Sequence, residues 1–591
     1  VGPLDEYKRR LSDREAQVKR GQHTHEQLGY VRLLVVAAAI VIGWASLWRG
    51  VLSAWWIAAP VIAFVAVAIY HARVLRAKEC AQRAAEVYRR GIARIEDRWS
   101  GTGETGERFQ DPHHVYAADL DLFGANSLFQ LLSAARTRMG EETLAGWLLG
   151  PADVAEIRAR HDAIRDLATR LDFREDLAVL GEDARTGVHP DALIAWAEST
   201  ESLPRGAARI IVPLLSLATM ATAILWLVTG FALPFGILLL ANGVVILWLR
   251  HRLEVILART DRAFDDVELL QSIVERVERE SFASERLRAL VARLRSQTEP
   301  ASRAMKRLGM IVDMVRSRES LILRTLDWPL LYSVNMGYVA EAWRKRHGVV
   351  VRQWLAAVGE LEALVSLATF HYEHPEDVFP EFVTGPATLE VHSLGHPLIA
   401  AAACVRNDVT IEGESRVLLV SGSNMSGKST LLRSVGTSVV MAMAGVPVRA
   451  TSMRLTPLQL GASIRINDSL HEGSSRFYAE VKRLRAILDL AGREPYLLFL
   501  LDEFLQGTNS QDRRIGAEGA LSALVERGAI GLTSTHDLAL TAVSGGNHWV
   551  HNVHFEDELV GGQMRFDYKL REGVVTKSNG LELMRAMGIK V

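Results

Sequence analysis

Four almost charge-free runs constrain this chain more than any other feature: residues 33–48 (LLVVAAAIVIGWASLW), 51–70, 210–228 and 231–249. A bilayer core takes a helix of about 20 apolar residues, range roughly 17–25, and only helices or closed barrels satisfy their backbone there. Three of the runs have that length. The first reaches it when extended back through Tyr30, with Arg32 snorkelling to the interface. Only Arg49-Gly50 separates the first pair and Thr229-Gly230 the second, so the runs read as two transmembrane helical hairpins, four spans in all. Two buried hairpins of a large helical core are the alternative, and Pro213, Pro234 and Asn242 in the second pair keep it open. The runs also account for a hydrophobic content of 49% and a mean hydropathy of +0.10.

Positive charge flanks the bases of both hairpins: Lys19, Arg20 and Arg32, then Arg73, Arg76 and Lys78, then Arg205, Arg209, Arg250 and Arg252. Neither outer turn carries more than one arginine. Both termini and the long middle segment are therefore expected on the cytoplasmic side of a multi-pass cytoplasmic-membrane protein. No cleaved signal peptide is expected, because a polar stretch of about thirty residues precedes the first run. The two cysteines, Cys80 and Cys404, lack metal-ligand spacing and fit a reducing compartment. With a net charge of −1 the chain has no overall electrostatic footprint for nucleic acid, so any such contact must come from a local patch.

Composition shifts divide the 591 residues into five parts. Residues 1–110 hold an N-terminal helix, the first hairpin (about 31–70) and a continuing amphipathic helix that ends in the loop SGTGETGERFQDPHH. Residues 111–208 read as the first half of a helical core, 209–250 as the second hairpin, and 251–379 as charge-rich helices forming the second half of a core or lever. From 380 to 591 strands and glycines appear. The predicted fold class is thus α plus α/β, with two transmembrane hairpins, a helical core and lever, and a C-terminal nucleotide-binding α/β domain.

That last assignment rests on GSNMSGKST, the residues Gly422, Ser423, Asn424, Met425, Ser426, Gly427, Lys428, Ser429 and Thr430. They fit GxxxxGK[ST], in which glycines let backbone N–H groups face phosphates, the lysine reaches the terminal pair and the serine hydroxyl takes Mg2+. The context is the required one: VLLVS at 417–421 reads as a buried strand, and Leu431 onward as a helix whose N-terminal dipole adds to the site. A second apolar strand, LLFLLDE at 497–503, ends in paired carboxylates. Asp502 is assigned to the metal and Glu503 to the attacking water. The expected cofactors are ATP and Mg2+, and the expected catalytic groups are Glu503 and Lys428.

An ordered series of further segments resembles the MutS family of DNA mismatch-repair ATPases. LGHPLI at 394–399 is similar to that family's RHP element, and Asn407-Asp408 to its ND pair. The family's loop is typically GPNMGGKST; here Ser423 and Ser426 replace Pro and Gly, while Asn424 and Met425 match. LGASIRINDSLHEGSSRFYAEV at 460–481 resembles the RIGA, DD and GxSTFMxE stretch, with Ser475, Phe477 and Glu480 on matching positions. TSTHDLAL at 533–540 resembles THxxEL, which implies that His536 senses the γ-phosphate and joins the catalytic set. QGTNSQD at 506–512 resembles RGTSTxD, so Gly507, Thr508, Asn509 and Ser510 are implied to reach the nucleotide of a partner subunit in a head-to-tail homodimer. Asn552, His554 and KSNGL at 577–581 also match, and DLFGANSLFQLL with the helices after it resembles the core and lever.

The resemblance implies an ABC-type, MutS-like P-loop ATPase domain, and it departs from the family elsewhere. Where mismatch-reading and connector domains are expected, about 110 residues with a membrane hairpin stand, and the second hairpin falls where the family inserts its DNA-gripping clamp. The literal FxE at Phe173 to Glu175 lies within the helical core, away from the family's context, and reads as coincidence. The expected function is a membrane-anchored ATPase that binds and hydrolyses ATP with Mg2+, with mismatched or branched DNA in repair or recombination as its implied ligand. The alternative is a membrane conformational ATPase acting on a protein partner without nucleic acid. A transporter is disfavoured, since GTNSQD does not resemble the LSGGQ signature and the spans carry no interior charge to mark a polar pathway.

Overall fold

The computed structural model describes residues 2–50, 52–181, 190–200, 203–204, 206–262, 265–295, 299–317, 321–465, 476–506, 509–536, 547–560 and 563–575. The chain folds as two compact units, one made of Val1–Trp99 with Arg170–Asp183 and the other of Ser100–Thr169 with Ala184–Val591.

The first unit is an antiparallel pair of long helices, Pro3–Leu47 and Ala58–Ile95, with a shorter helix, Leu171–Gly181. Its register is set by Tyr7 against Tyr88 (ring centroids 5.5 Å apart), Gly21 against Lys78, and His25 against His71 (Nδ1 to Nε2, 2.7 Å). Ala81, Ala84 and Ala85 are buried in the half away from the apolar runs, where small side chains let the helices approach. Phe173 and Glu175 of the FxE triplet are buried on the short helix, and Glu175 accepts hydrogen bonds from Tyr88 Oη and from Arg14 (2.7 Å), which is a packing role. In the other half of the pair, large apolar side chains such as Leu33, Ile40, Trp44, Ile62 and Val65 are exposed.

The second unit contains the other apolar hairpin, Ala208–Thr229 and Leu233–Arg262, whose connection turns at Gly230 with φ 77. Among the described residues four helices, counting this hairpin and the first pair, are long and apolar enough to cross a membrane. Beside the hairpin stands a helical region built on one 42-residue helix, Tyr332–Glu373. Three of its residues recur at a spacing of eleven: Gly337, Gly348 and Gly359. Eleven residues are three turns, so the three lie on one face. A Cβ there would meet Leu253 Cδ2 at 2.9 Å, the Ala197 carbonyl oxygen, and the Met139 carbonyl oxygen at 2.8 Å. The stripe thus admits neighbouring side chains and backbone to contact distance along the length of the helix.

The C-terminal part of this unit is α/β. A six-stranded sheet runs β10-β9-β4-β8-β7-β6, with β4 (Val417–Ser421), β6 (Leu458–Ser463), β7 (Tyr496–Asp502), β8 (Ile530–Thr535) and β9 (Val550–Val560) parallel to their neighbours and β10 (Gln563–Glu572) antiparallel at the edge. β4 and β8 are buried throughout and β7 nearly so, as continuous apolar strands covered on both faces must be. Helices Lys428–Ala444, Arg476–Leu490 and Ser510–Glu526 belong to this layer arrangement. A smaller sheet, β1-β5-β2-β3, is formed by Glu381–Phe382, Ser452–Leu455, Leu389–Leu394 and Asn407–Ile411.

Candidate functional site

β4 ends at Ser421 and the chain turns at once into the helix Lys428–Ala444. Two glycines permit the turn: Gly422 has φ 152 and Gly427, the N-cap, has φ 106, a region that side-chain-bearing residues rarely enter. A Cβ at Gly427 would also stand 3.2 Å from Tyr568 Cδ1. Lys428 is buried, and its Nζ donates to the carbonyls of Gly422 (2.9 Å) and Ser423 (2.8 Å) while lying 3.5 Å from Glu503 Oε1. The hydroxyls of Ser423 and Ser426 are buried without a hydrogen-bond partner. The first N–H groups of a helix likewise lack internal acceptors. Donors therefore outnumber acceptors around the loop, an arrangement that an anionic group with several oxygens completes.

The carboxylates arrive from the adjacent strands. Asp502, at the end of β7, accepts from Ser534 Oγ on β8, and Glu503 N donates to the same hydroxyl oxygen (3.0 Å). Glu503 takes φ 45, which swings its side chain off the strand line. Its Oε2 accepts from Gln506 Nε2 (2.6 Å), and its Oε1 lies 3.2 Å from His536 Nδ1 at the end of β8. Burial works to raise the Glu503 pKa, but the Gln506 hydrogen bond and the Lys428 and His536 charges outweigh it and hold the carboxyl below its ordinary value. Glu503 is therefore ionised at neutral pH, as a base or a water-orienting group must be.

These residues open on one cavity of 600 Å³. Asn424, Met425, Gly427, Lys428, Ser429, Thr430, Asp502 and Glu503 line one side, and His396, Ile399, Ala403, Cys404, Val405, Phe555 and Tyr568 line much of the other. Asn407, at the start of β3, fixes that second wall: its Nδ2 donates to the Tyr568 carbonyl (3.0 Å) and its Oδ1 accepts from Leu570 N (2.8 Å). The grip falls on the irregularity in β10 between Phe566 and Leu570, where Tyr568 has φ 55. Burial, with the Arg433 charge adding to it, pushes the His396 imidazole down to about 4, so this wall is neutral at pH 7. The cavity accordingly brings charged groups together with apolar and aromatic side chains, of which Phe555 and Tyr568 stand against the loop glycines Gly422 and Gly427.

Of the residues singled out from the sequence, Gly422, Ser423 and Ser426 form the back of the loop, while the rest of the loop lines the cavity with Asp502 and Glu503. His536 reaches the site through Glu503. Among the described residues no group of three or more His, Cys, Asp or Glu could hold a metal. Ser429 and Asp502 offer the sparse oxygen set that suits Mg2+, which keeps waters and takes substrate oxygens for its other positions. Gly507, Thr508, Ser475 and residues 577–581 lie outside the described residues. Asn509 does not line the cavity; its Oδ1 accepts from Asp512 N (2.8 Å) and caps the helix Ser510–Glu526, on which Ser510 is the first residue. Sequence reasoning missed Tyr568 and Phe555, which carry no local motif, and gave no role to His396 within LGHPLI.

Comparison with known proteins bears on this same region. A family model described as MutS domain V matches residues 418–590, from β4 through the loop, both carboxylates, His536 and Tyr568. In this C-terminal portion the chain belongs to the MutS family. The chain is 34% identical over 201 residues to Endonuclease MutS2 of Thermus thermophilus, covering 34% of this chain and 26% of that protein. It is 32% identical over 287 residues to DNA mismatch repair protein MutS 2 of Halobacterium salinarum, and 29% over 280 residues to DNA mismatch repair protein MutS of Lysinibacillus sphaericus, each match covering 46% of this chain and 32% of the relative. The match thus spans between a quarter and a third of the length of these relatives. MutS domain V accounts for the charged groups of the cavity and for Tyr568 and Phe555. The wall from Leu394 to Asn407 precedes the matched residues.

Proposed function

We propose that this chain is a membrane-anchored, Mg2+-dependent ATPase of the MutS type. The observation that carries the reading is the convergence of Lys428, Ser429, Asp502 and Glu503 on one cavity with His536 against Glu503. The Gly422–Thr430 loop would receive the triphosphate of ATP, and Tyr568 with the neutral wall would receive its base. Lys428 exchanges the carbonyls of Gly422 and Ser423 for the terminal phosphates. Ser429 and Asp502 would hold Mg2+, which would supply positive charge to the phosphate oxygens. Glu503 orients the attacking water, and His536 keeps Glu503 in place once Lys428 has turned away.

A second copy completes the site through Gly507, Thr508, Asn509 and Ser510. The exposed Met425, Tyr478 and Ile515 give the domain apolar surface for that pairing. The apolar hairpins anchor the dimer in the cytoplasmic membrane with the ATPase domain on the cytoplasmic side. From the names of the relatives, mismatched or branched DNA is the proposed ligand. A second reading, a conformational ATPase acting on a protein partner, is favoured by one observation: Asn335 of the helix Tyr332–Glu373 bonds Ser216 of the second hairpin (3.0 Å) and Glu362 of the same helix binds Thr137 of the helical region.

The deciding experiment for the ATPase is Mg2+-dependent turnover by the detergent-solubilised protein, lost in Lys428→Ala. For the ligand it is binding of duplex, mismatched and branched DNA across a salt series. Phosphate contacts are strongest at low salt, so the absence of binding there removes the DNA reading and leaves the second one.

A further inference from the structure

Residues 321–339 carry polar bonds into the middle of the second apolar hairpin. Asn242, fully buried, donates Nδ2 to the Pro329 carbonyl (2.8 Å) and to Thr219 Oγ1 (3.1 Å). Trp328 Nε1 donates to the Leu239 carbonyl (2.9 Å), and Asn335 Nδ2 to Ser216 Oγ (3.0 Å). At a rise of about 1.5 Å per residue, Thr219 is about 15 Å from either end of Ala208–Thr229, and Asn242 is about 18 Å from the turn at Gly230. A bilayer core is about 30 Å thick, so a hairpin that crosses it holds these bonds near its centre.

The chain breaks its helix at that depth. Leu321–Leu330 ends beside Pro329, Leu331 takes φ 49, and the helix Tyr332–Glu373 begins. The polar groups at the break are satisfied locally: Asn335 Nδ2 also donates to the carbonyls of Leu330 (3.1 Å) and Leu331 (3.0 Å), and Asp327 accepts from Ser333 N (2.7 Å) and Oγ (2.9 Å). Non-helical backbone survives at membrane depth only when it is buried in protein in this way. Leu331 and Val334 are indeed buried with Val212 and Leu249 of the hairpin. On the outward side, Leu326 and Trp328 are 40% and 51% exposed, continuing the exposed apolar surface of Leu217, Leu240 and Trp248. Going up the second helix, the first charged residue is Glu341, ten residues or about 15 Å from Leu331, which is half a bilayer core. Arg324 is exposed about 6 Å before Trp328, within snorkelling reach of the headgroups.

We propose that residues 321–339 are a re-entrant membrane element, entering the lipid from the cytoplasmic side, turning at Pro329 to Leu331 near the bilayer centre, and leaving as the first turns of Tyr332–Glu373. Its surface partner is the acyl region of the lipid, against Leu326 and Trp328. The inference rests on the membrane reading of the second hairpin and adds a fifth inserted element to it. The test uses the full chain carrying Cys80→Ser and Cys404→Ser, with single cysteines placed by Leu326→Cys, Thr325→Cys, Leu240→Cys or Val349→Cys, in inside-out vesicles. A charged, membrane-impermeant maleimide is expected to label Val349→Cys and to spare the other three, and a fluorophore on Leu326→Cys is expected to be quenched by lipid spin-labelled in mid-chain. Labelling of Leu326→Cys and Thr325→Cys with Leu240→Cys spared overturns the re-entrant element and leaves the hairpin standing. Labelling at Leu240→Cys as well removes the hairpin reading and the inference with it.

Discussion

Nδ1 of His536 lies 3.2 Å from Oε1 of Glu503, the same oxygen that stands 3.5 Å from Nζ of Lys428. One carboxylate oxygen is therefore shared by two basic side chains, one opening the helix Lys428–Ala444 and the other just past the end of β8. In the proposed ATP-bound state Lys428 turns to phosphate, and His536 is the group left on that oxygen while Gln506 holds the other. The two residues should then separate in their kinetics.

Glu503→Gln keeps the shape of the side chain and its contact with Gln506 but cannot act as a base. ATP binding is expected to persist while turnover falls by about 10²–10⁴. Equilibrium nucleotide binding and steady-state hydrolysis measured on the same preparation check it, and ordinary turnover would refute the assignment.

His536→Ala removes a positioning contact while the cavity stays lined as before. The expected result is a fall in kcat of about tenfold to a hundredfold with KM for ATP little changed. A proportional rise in KM instead would place His536 in ground-state binding. His536→Asn, which can still donate to Glu503, should recover part of the loss.

Tyr568 sets the aromatic wall of the cavity and stands against Gly427. Tyr568→Ala should raise KM for ATP by about tenfold, close to 1.4 kcal/mol, and leave kcat nearly intact, since the contact proposed for it is with the base and not with the reacting groups. Tyr568→Phe should behave as the parent chain. An unchanged KM in the alanine variant would place the base elsewhere.

His161 and His396 are both pushed down from 6.5 to about 4, first by burial and then by nearby arginines. The folded chain keeps them neutral, whereas the unfolded chain takes up protons from about pH 6.5 downward. Stability is thus full above that pH and falls as pH drops toward 4, by at most about 3 kcal/mol for each histidine. Denaturant midpoints followed between about pH 7.5 and 5 should decline, and His161→Gln should flatten the decline. A midpoint that does not move would contradict the burial of both imidazoles.

Much of the C-terminal α/β domain was legible because its signals are local. The strand at 417–421, the loop and the following helix run consecutively from 417 to 444, and the paired carboxylates end an apolar run that can only be a buried strand. The apolar runs were legible for the same reason. What sequence reasoning could not supply were relationships made across the chain. Tyr568 reaches the cavity because Asn407, 161 residues earlier, grips its carbonyl, and no periodicity records that. Residues 321–339 read as one more stretch of charge-rich helix, since Arg324 and Asp327 dilute the apolar pattern; their fit against Asn242 appears only when the hairpin is folded. The loop at 506–512 was read for what it does to a second copy, whereas among its described residues a single chain shows Gln506 bonded to Glu503 and Asn509 capping a helix.

The glycine stripe on Tyr332–Glu373 makes that helix intolerant of changes in length. Each residue added between Gly348 and Gly359 would turn the hairpin-side end by about 100° and displace it by about 1.5 Å, setting Gly337 and Gly348 away from Leu253 and Ala197 while Gly359 stayed against Met139. Steps of seven or of eleven residues restore the facing to within about 20°, and they lengthen the helix by about 10.5 or 16.5 Å. The helix is in this sense a measuring stick with marks on one side. Through it the protein fixes both the distance and the azimuth between its second hairpin and the helical region, so the rod can change its length only by steps that bring its marks back to the same side.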